Sequence, residues 1–254
     1  MKKIAFTIAA LACVGSSWAD APKADGEWRG LASASVAVTS GNSQSQAALA
    51  NVDIARLTTQ DKISLGGYVN EGRSKSNGVT TTSSGKEGVH GQYDYNLTPD
   101  VFGFGSLAFD HDRVLDLSLR SLAAAGLGYH VIKTKTDQFD VFGGLSYSDS
   151  RYNQLETIGG STKRNFTSTG LLLGEESSHQ LSDSVSAKQR LEYYPGLTGD
   201  KSQLLKLNAM LNVSMTKTLA LSVGLIDTYN SKVAAGQKSN DMALFTGISM
   251  KLGD

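Results

Sequence analysis

Leu204–Leu225 reads LLKLNAMLNVSMTKTLALSVGL, and this stretch decides the fold. Leu205, Leu207, Ala209, Leu211, Val213 and Met215 are apolar at every second position, and Lys206, Asn208, Met210, Asn212 and Ser214 lie between them. A period of two means a strand with two unlike faces. After Thr216-Lys217-Thr218 the alternation resumes with Leu219, Leu221, Val223 and Leu225, so two strands meet at a very short turn. That is a β-hairpin. Each arm is roughly 10 residues, which at about 3.3 Å per residue and a tilt near 45° crosses a bilayer's hydrocarbon core.

Working outward, the N-terminus is a processing signal rather than part of the fold. Lys2 and Lys3 precede the apolar run Ile4 to Val14, and Ser17-Trp18-Ala19 places small residues where a signal peptidase reads. Residues 1–19 are expected to be a cleaved signal peptide, 20–27 a short N-terminal segment and 28–254 a β-barrel. A competing reading makes Cys13 in Ala10-Leu11-Ala12-Cys13 a lipidated residue, but its apolar run is very short and Ala10 stands where Leu is usual. With cleavage after Ala19 the single cysteine is lost, and with it any disulfide, thiol nucleophile or thiolate metal site.

No other apolar run approaches the ~20 residues of a transmembrane helix. Removing Lys2 and Lys3 from the 24 basic residues leaves 22 against 24 acidic ones, a balance that gives no reason to expect a nucleic-acid partner. With 27 glycines and 3 prolines, the composition suits a strand-rich chain. About 230 residues fit one all-β domain.

The same period yields about 12 strands, an even number as in bacterial single-chain barrels. They are Trp28 to Thr39, Gln44 to Leu57, Lys62 to Glu71, Thr80 to Tyr95, Val101 to Asp110, Leu117 to Tyr129, Gln138 to Tyr147, Phe166 to Gln180, Val185 to Tyr194, Gln203 to Met215, Leu219 to Asn230 and Asp241 to Leu252. Alternate links are short: Thr58 to Asp61, Asn96 to Asp100, His130 to Asp137, Leu181 to Ser184 and Thr216 to Thr218. The others tend to be longer and rich in Gly, Ser, Lys and Asn: Gly72 to Val79, Ser148 to Asn165, Pro195 to Ser202 and Ser231 to Asn240, with Ser40 to Ser43 a tight exception. Two unlike ends are the mark of an up-and-down antiparallel transmembrane barrel, short turns inside and long loops outside. Aromatic placement gives the same answer. Trp28, Tyr93, Tyr95, Tyr129, Phe102 and Phe139 fall near one set of strand ends, and Tyr68, Phe109, Tyr147, Phe166, Tyr193, Tyr194 and Tyr229 near the other, as two interfacial girdles.

Three stretches carry a resemblance. Trp28-Arg29-Gly30 leading to Thr39-Ser40-Gly41-Asn42-Ser43, then Arg190-Leu191-Glu192-Tyr193-Tyr194-Pro195, then Tyr229-Asn230-Ser231 with Asp241 beyond, resemble the YdiY-like family of salt-induced outer-membrane proteins. The resemblance spans most of the chain after the signal and implies a bacterial outer-membrane barrel. It implies no substrate and no catalytic residues. The expected partners are outer-membrane lipids, periplasmic chaperones and the barrel-assembly machinery; the oligomeric state stays open.

Motifs of reaction chemistry are weak. Asp110-His111-Asp112, if extended, puts the two aspartates on one face and the histidine on the other, so three metal ligands do not converge and a solvated loop apex is the better account. His90, His130 and His179 are scattered, and no His-x-Ser occurs. Ser178-His179, as neighbours, face opposite ways, so no nucleophile and base are paired. Neither an enzyme nor a cofactor is expected.

The inward charges are the constellation to follow. Alternation places Lys188, Arg190 and Glu192 on one side of the ninth strand and Lys206 on the matching side of the tenth. Asp53, Asp94, Arg120 and Asp140 fall opposite the apolar residues of their own strands. Lysine or arginine on the lipid face at the bilayer midplane costs about 2–4 kcal/mol, so these charges are expected in the lumen. There they either pair and close the path, or stand apart across a wet constriction. The face of Glu176 is undecided, because Leu171, Leu172 and Leu173 run consecutively. The functional expectation is passive passage of ions or small polar solutes. A non-conducting structural or stress-related barrel, a surface-binding protein acting through long loops, and a secreted soluble β-protein are the alternatives.

Overall fold

The structure, a computed structural model, describes residues 24–39, 43–76, 79–234 and 236–253. Residues 1–19, read as a signal peptide, and the turn residues 40–42 lie outside the described residues, as do 20–23 of the short N-terminal segment. Twelve strands follow in order: β1 (Trp28–Thr39), β2 (Ser43–Leu57), β3 (Asp61–Ser76), β4 (Val79–Asn96), β5 (Val101–Asp112), β6 (Leu117–Lys133), β7 (Asp137–Ile158), β8 (Ser161–Gln180), β9 (Val185–Gly199), β10 (Gln203–Ser214), β11 (Leu219–Asn230) and β12 (Asn240–Leu252). Each pairs antiparallel with its neighbours in the chain, and β12 returns to β1, so the sheet is a closed barrel. Closure lets one strand's amides meet the next strand's carbonyls, the condition for crossing a bilayer with strands. The expected Leu204–Leu225 hairpin forms, with Ala209 opposite Leu225 and Ser214 opposite Ala220.

The outward face is apolar: Leu65, Val89, Leu107, Leu127, Leu145, Leu173, Leu221 and Leu244 are all exposed. Left in water, this continuous band would be a patch far larger than monomeric proteins tolerate; covered by acyl chains, it is a transmembrane belt. Trp28, Tyr93, Tyr95 and Tyr129 stand exposed toward one rim, and Phe109, Tyr147 and Tyr229 toward the other. Four residues expected in the girdles point inward instead: Phe102, Phe166 and Tyr194 are buried, and the Tyr68 hydroxyl donates to Asp110 at 3.0 Å. Nearness to a strand end sets height only; the parity of the residue sets its face.

All five turns at the end that holds both termini share one device. The side-chain oxygen of Thr58, Thr98, Thr134, Ser182 or Thr216 accepts a hydrogen bond from the amide three residues on: Asp61 at 3.0 Å, Val101 at 3.0 Å, Asp137 at 2.9 Å, Val185 at 3.2 Å and Leu219 at 2.9 Å. Such hydroxyl turns pin the chain reversal without glycine.

The opposite end is built from strands where the sequence suggested loops. β7 runs on through Ile158 and β8 starts at Ser161, so Ser148 to Asn165 is a tall hairpin with a bulge between Arg151 and Glu156. Its two-residue tip, Gly159-Gly160, has φ of +59° and +83°, as a type I′ connection demands. β3 likewise extends to Ser76 and β9 to Gly199, whereas residues 231–234 and 236–239 are irregular. Above the bilayer neither face must be apolar, so the period-two signal fades while the ladder continues. Hydroxyl pairs across it, Ser74 with Thr81 and Thr157 with Thr162, replace apolar alternation.

Candidate functional site

The inward faces of the strands enclose a lumen that is filled unevenly. From β5 to β10, Phe102, Phe104, Leu122, Ala124, Phe142, Leu172, Tyr194 and Leu204 form one buried apolar cluster inside the barrel. Phe104 meets the edge of Phe142 with centroids 5.5 Å apart. Two glycines make room: a Cβ at Gly128 would overlap the Phe102 ring, and one at Gly174 the Phe142 ring. An inward phenylalanine lying over the glycine of the next strand thickens the wall toward the axis.

Charged side chains cross the bore beside this cluster. Lys62 on β3 donates to Glu176 on β8 at 3.1 Å, and Lys206 on β10 to Asp110 on β5 at 3.1 Å. Arg190 on β9 is the hub, donating to Glu176 at 2.5 Å, to Glu192 at 2.7 Å and, across the lumen, to Gln92 on β4 at 2.7 Å. Its guanidinium lies 4.8 Å from the Phe142 ring centroid, so the network and the apolar cluster share a face. Arg190 joins three strands besides its own by hydrogen bonds or ring contact, from one side chain whose planar fork suits such bonding.

The other side of the lumen is wet. Asp53 on β2 and His90 on β4 form a pair at 3.3 Å with both side chains 49% exposed, and Lys188 on β9 is 57% exposed with its ammonium 3.8 Å from Glu176. Gly66 between them carries no Cβ, which would overlap both Asp53 and His90. Deeper toward the turn end, Asn212, Ser222, Ser249 and Ser33 make a hydroxyl chain through four strands, with links of 2.5, 2.5 and 2.6 Å.

A strap spans the mouth opposite the turns. The irregular segment after β11 reaches the β5–β6 turn, where Gln237 donates to the carbonyl of Val114 at 3.2 Å, and Lys232 bonds the carbonyl of Asp200. On one side of the strap Leu117, Tyr152, Ile158 and Phe166 cluster with Leu115 and Ala234, and a small recess of about 30 Å³ is lined by Arg120, Ser146, Ser148, Ser150 and Asn230.

The residues singled out in the sequence divide between these regions. Lys188 and Asp53 stand in the wet part; Arg190, Glu192 and Lys206 are bound into the crossing network. Asp94 is buried and accepts from Gln92 at 2.7 Å, Asp140 is buried against His130 at 2.7 Å, and Arg120 donates to Ser150 at 3.2 Å. Sequence reasoning missed Lys62 and Gln92 and left Glu176 undecided. Asp110-His111-Asp112 is no loop apex: β5 includes all three residues. The two aspartates share the inner face as alternation requires, Asp110 held by Lys206 and Tyr68, and Asp112 accepting from the amides of Val114 and Leu115 at 2.9 and 3.1 Å. Among the described residues no group of three His, Cys, Asp or Glu side chains is arranged to hold a metal ion.

The model of one protein family matches residues 32–251, nearly the whole barrel. The chain belongs to the family described as protein of unknown function, DUF481. No curated protein matches this DUF481 member. Among solved structures, the NanC porin is similar over 87% of this chain and 97% of its own, at 10% identity and a TM-score of 0.48. An outer membrane channel from Pseudomonas putida F1 is similar over 92% and 97%, at 11% identity and 0.49. The translocator domain of the autotransporter NalP from Neisseria meningitidis is similar over 91% and 90%, at 13% identity and 0.46.

Proposed function

We propose that this barrel lies in the bacterial outer membrane and passes ions or small polar solutes passively along the wet side of its lumen. The observation that carries the proposal is the unequal exposure of the inner wall. Asp53, His90 and Lys188 are each about half exposed inside the barrel, whereas the cluster around Phe142 is closed to water. A narrow path between opposite charges focuses a field across itself and passes small hydrated solutes while excluding bulky ones. Lipids of the outer membrane cover the belt, and periplasmic chaperones with the barrel-assembly machinery deliver the chain there. The resemblance to the YdiY-like proteins extends the proposal to a role under salt stress, for which the check is whether transcript level rises on salt addition.

Single-channel recording in a planar bilayer is the direct test. The expected result is small, steady current steps from the intact protein. A silent intact protein that begins to conduct only when Arg190 is replaced by Ala would reject the open path and leave a plugged barrel.

A further inference from the structure

The wall of the barrel is not equally sealed all round. The other eleven inter-strand ladders run for 11 residue pairs or more, but β1 and β12 pair only from Gly30↔Leu252 to Ala34↔Ile248. A single side-chain bond, from the Ser35 hydroxyl to the carbonyl of Thr246 at 2.7 Å, carries the contact one step further. Beyond it, Val36 to Thr39 pair only with β2, and Asn240 to Phe245 on the facing edge only with β11 up to Tyr229↔Asn240. The bare edges extend for about four residues, roughly 13 Å, in the half of the wall away from the termini.

The residues beside this gap differ from those around the rest of the wall. Outside, Val36 is 74% exposed and Leu244 73%, more than any other large apolar side chain of the belt, because neither has a neighbour across the seam. Inside, the parity of Ser33 and Ser249 puts Ala37 and Phe245 on the lumenal face, with Leu49 buried behind them. At a comparable height on the opposite wall the lumen shows Asp110, Arg120 and Ser150.

We propose that the outer half of the β1–β12 seam is a lateral port, occupied by the acyl chain of a single-chain amphiphile that moves between the lumen and the membrane. The gap is continuous with the belt that lipid covers, so hydrocarbon is what stands beside it. An alkane alone is a poor occupant. Bare strand edges present N–H and C=O groups that hydrocarbon leaves unsatisfied, and a polar head group with lumenal water satisfies them where an alkyl tail cannot. The proposal rests on the transmembrane placement of the barrel and not on ion passage.

The test uses the full chain with Cys13→Ser, folded into phosphatidylcholine vesicles, and two cysteine pairs. Ala32→Cys with Met250→Cys sits in the observed ladder; Val38→Cys with Leu244→Cys sits on the same register line carried into the gap. The first pair is expected to oxidise to a disulfide, and the second to give a yield at least about tenfold lower, since Cα atoms more than about 7 Å apart are not bridged. A photoactivatable sixteen-carbon fatty acid in the same vesicles is expected to label Phe245 and Leu49 as well as the outer belt, and bridging the second pair with a long bis-maleimide is expected to remove the lumenal label. Equal disulfide yields would overturn the port, since the ladder then zips shut. Label confined to outward residues would overturn it too, and disulfides between two chains would replace the amphiphile with a second copy of the barrel. Channel current is measured separately, so its absence counts against the pore alone.

Discussion

Two sides of one lumen are built on different principles. On the β5–β10 side, Phe102, Phe104, Phe142, Leu172 and Tyr194 pack as the interior of a soluble protein does, Arg190 ties that wall to β4, and Lys206 ties its two ends, β10 and β5, together. On the side of β2, β4 and the lower part of β9, the inward groups are half exposed and their contacts looser, 3.3 Å for Asp53 with His90 and 3.8 Å for Lys188 with Glu176. The first arrangement gives the barrel an apolar core within its bore; the second leaves room for water. Side chains of the same charge therefore have opposite duties according to burial, and Arg190 and Lys188, two residues apart on one strand face, are the sharpest instance.

Removing Arg190 tests the packed side with the largest effect. Arg190→Ala leaves Glu176 and Glu192 without their shared guanidinium and strips the Phe142 face. Stranding buried partners of this kind costs about 3–5 kcal/mol in proteins generally. Urea unfolding in detergent micelles, followed by the gel mobility of folded against boiled protein, is expected to show a loss of that order. A loss under about 0.5 kcal/mol, the usual scale for a surface change, would place Arg190 in the wet region with Lys188.

Phe142→Ala is expected to come next. Large-to-small changes at buried aromatics cost about 3–5 kcal/mol, and the lower end applies here because the lumen beside Phe142 lets water fill part of the space. Since Phe142 and Arg190 touch, the two losses are expected to be non-additive; a double-mutant cycle reads the coupling. Full additivity within about 0.5 kcal/mol would mean that network and cluster are independent units.

The sequence showed the strands and much less of the lumen. Alternation from Leu205 to Leu225 is legible because one face must satisfy lipid, a demand that recurs at every second residue of every strand. It lapses where lipid ends, which is why Ser148 to Asn165 looked like a loop and is a hairpin. Inside the barrel no single solvent imposes a rule, so Phe142 and Asp140 share one strand face with no pattern to announce which packs and which pairs. Of the partners of Arg190, only Gln92 on β4 is joined to it by closure of the whole sheet; Glu176 stands opposite it across the β8–β9 hairpin with a face the sequence left undecided, and Glu192 is two residues away on the same strand.

The smallest effect, and the most discriminating, belongs to the wet side. Lys188→Ala and Asp53→Asn are expected to change stability by no more than about 0.5 kcal/mol each, as exposed substitutions do. Their signature is in selectivity. A unit charge roughly 8 Å from a permeating ion is worth about 0.5 kcal/mol in water, with opposite sign for cations and anions, so deleting one shifts the cation-to-anion permeability ratio a few-fold. Lys188→Ala should favour cations and Asp53→Asn anions, read from reversal potentials under a salt gradient. Because the charges act through water, both shifts should shrink at about 1 M salt, where the screening length falls to about 3 Å, shorter than the distance to the ion. A shift that survives high salt would mean direct contact between the side chain and the permeating ion. Shifts of the same sign from the two variants would mean that the path does not run between them.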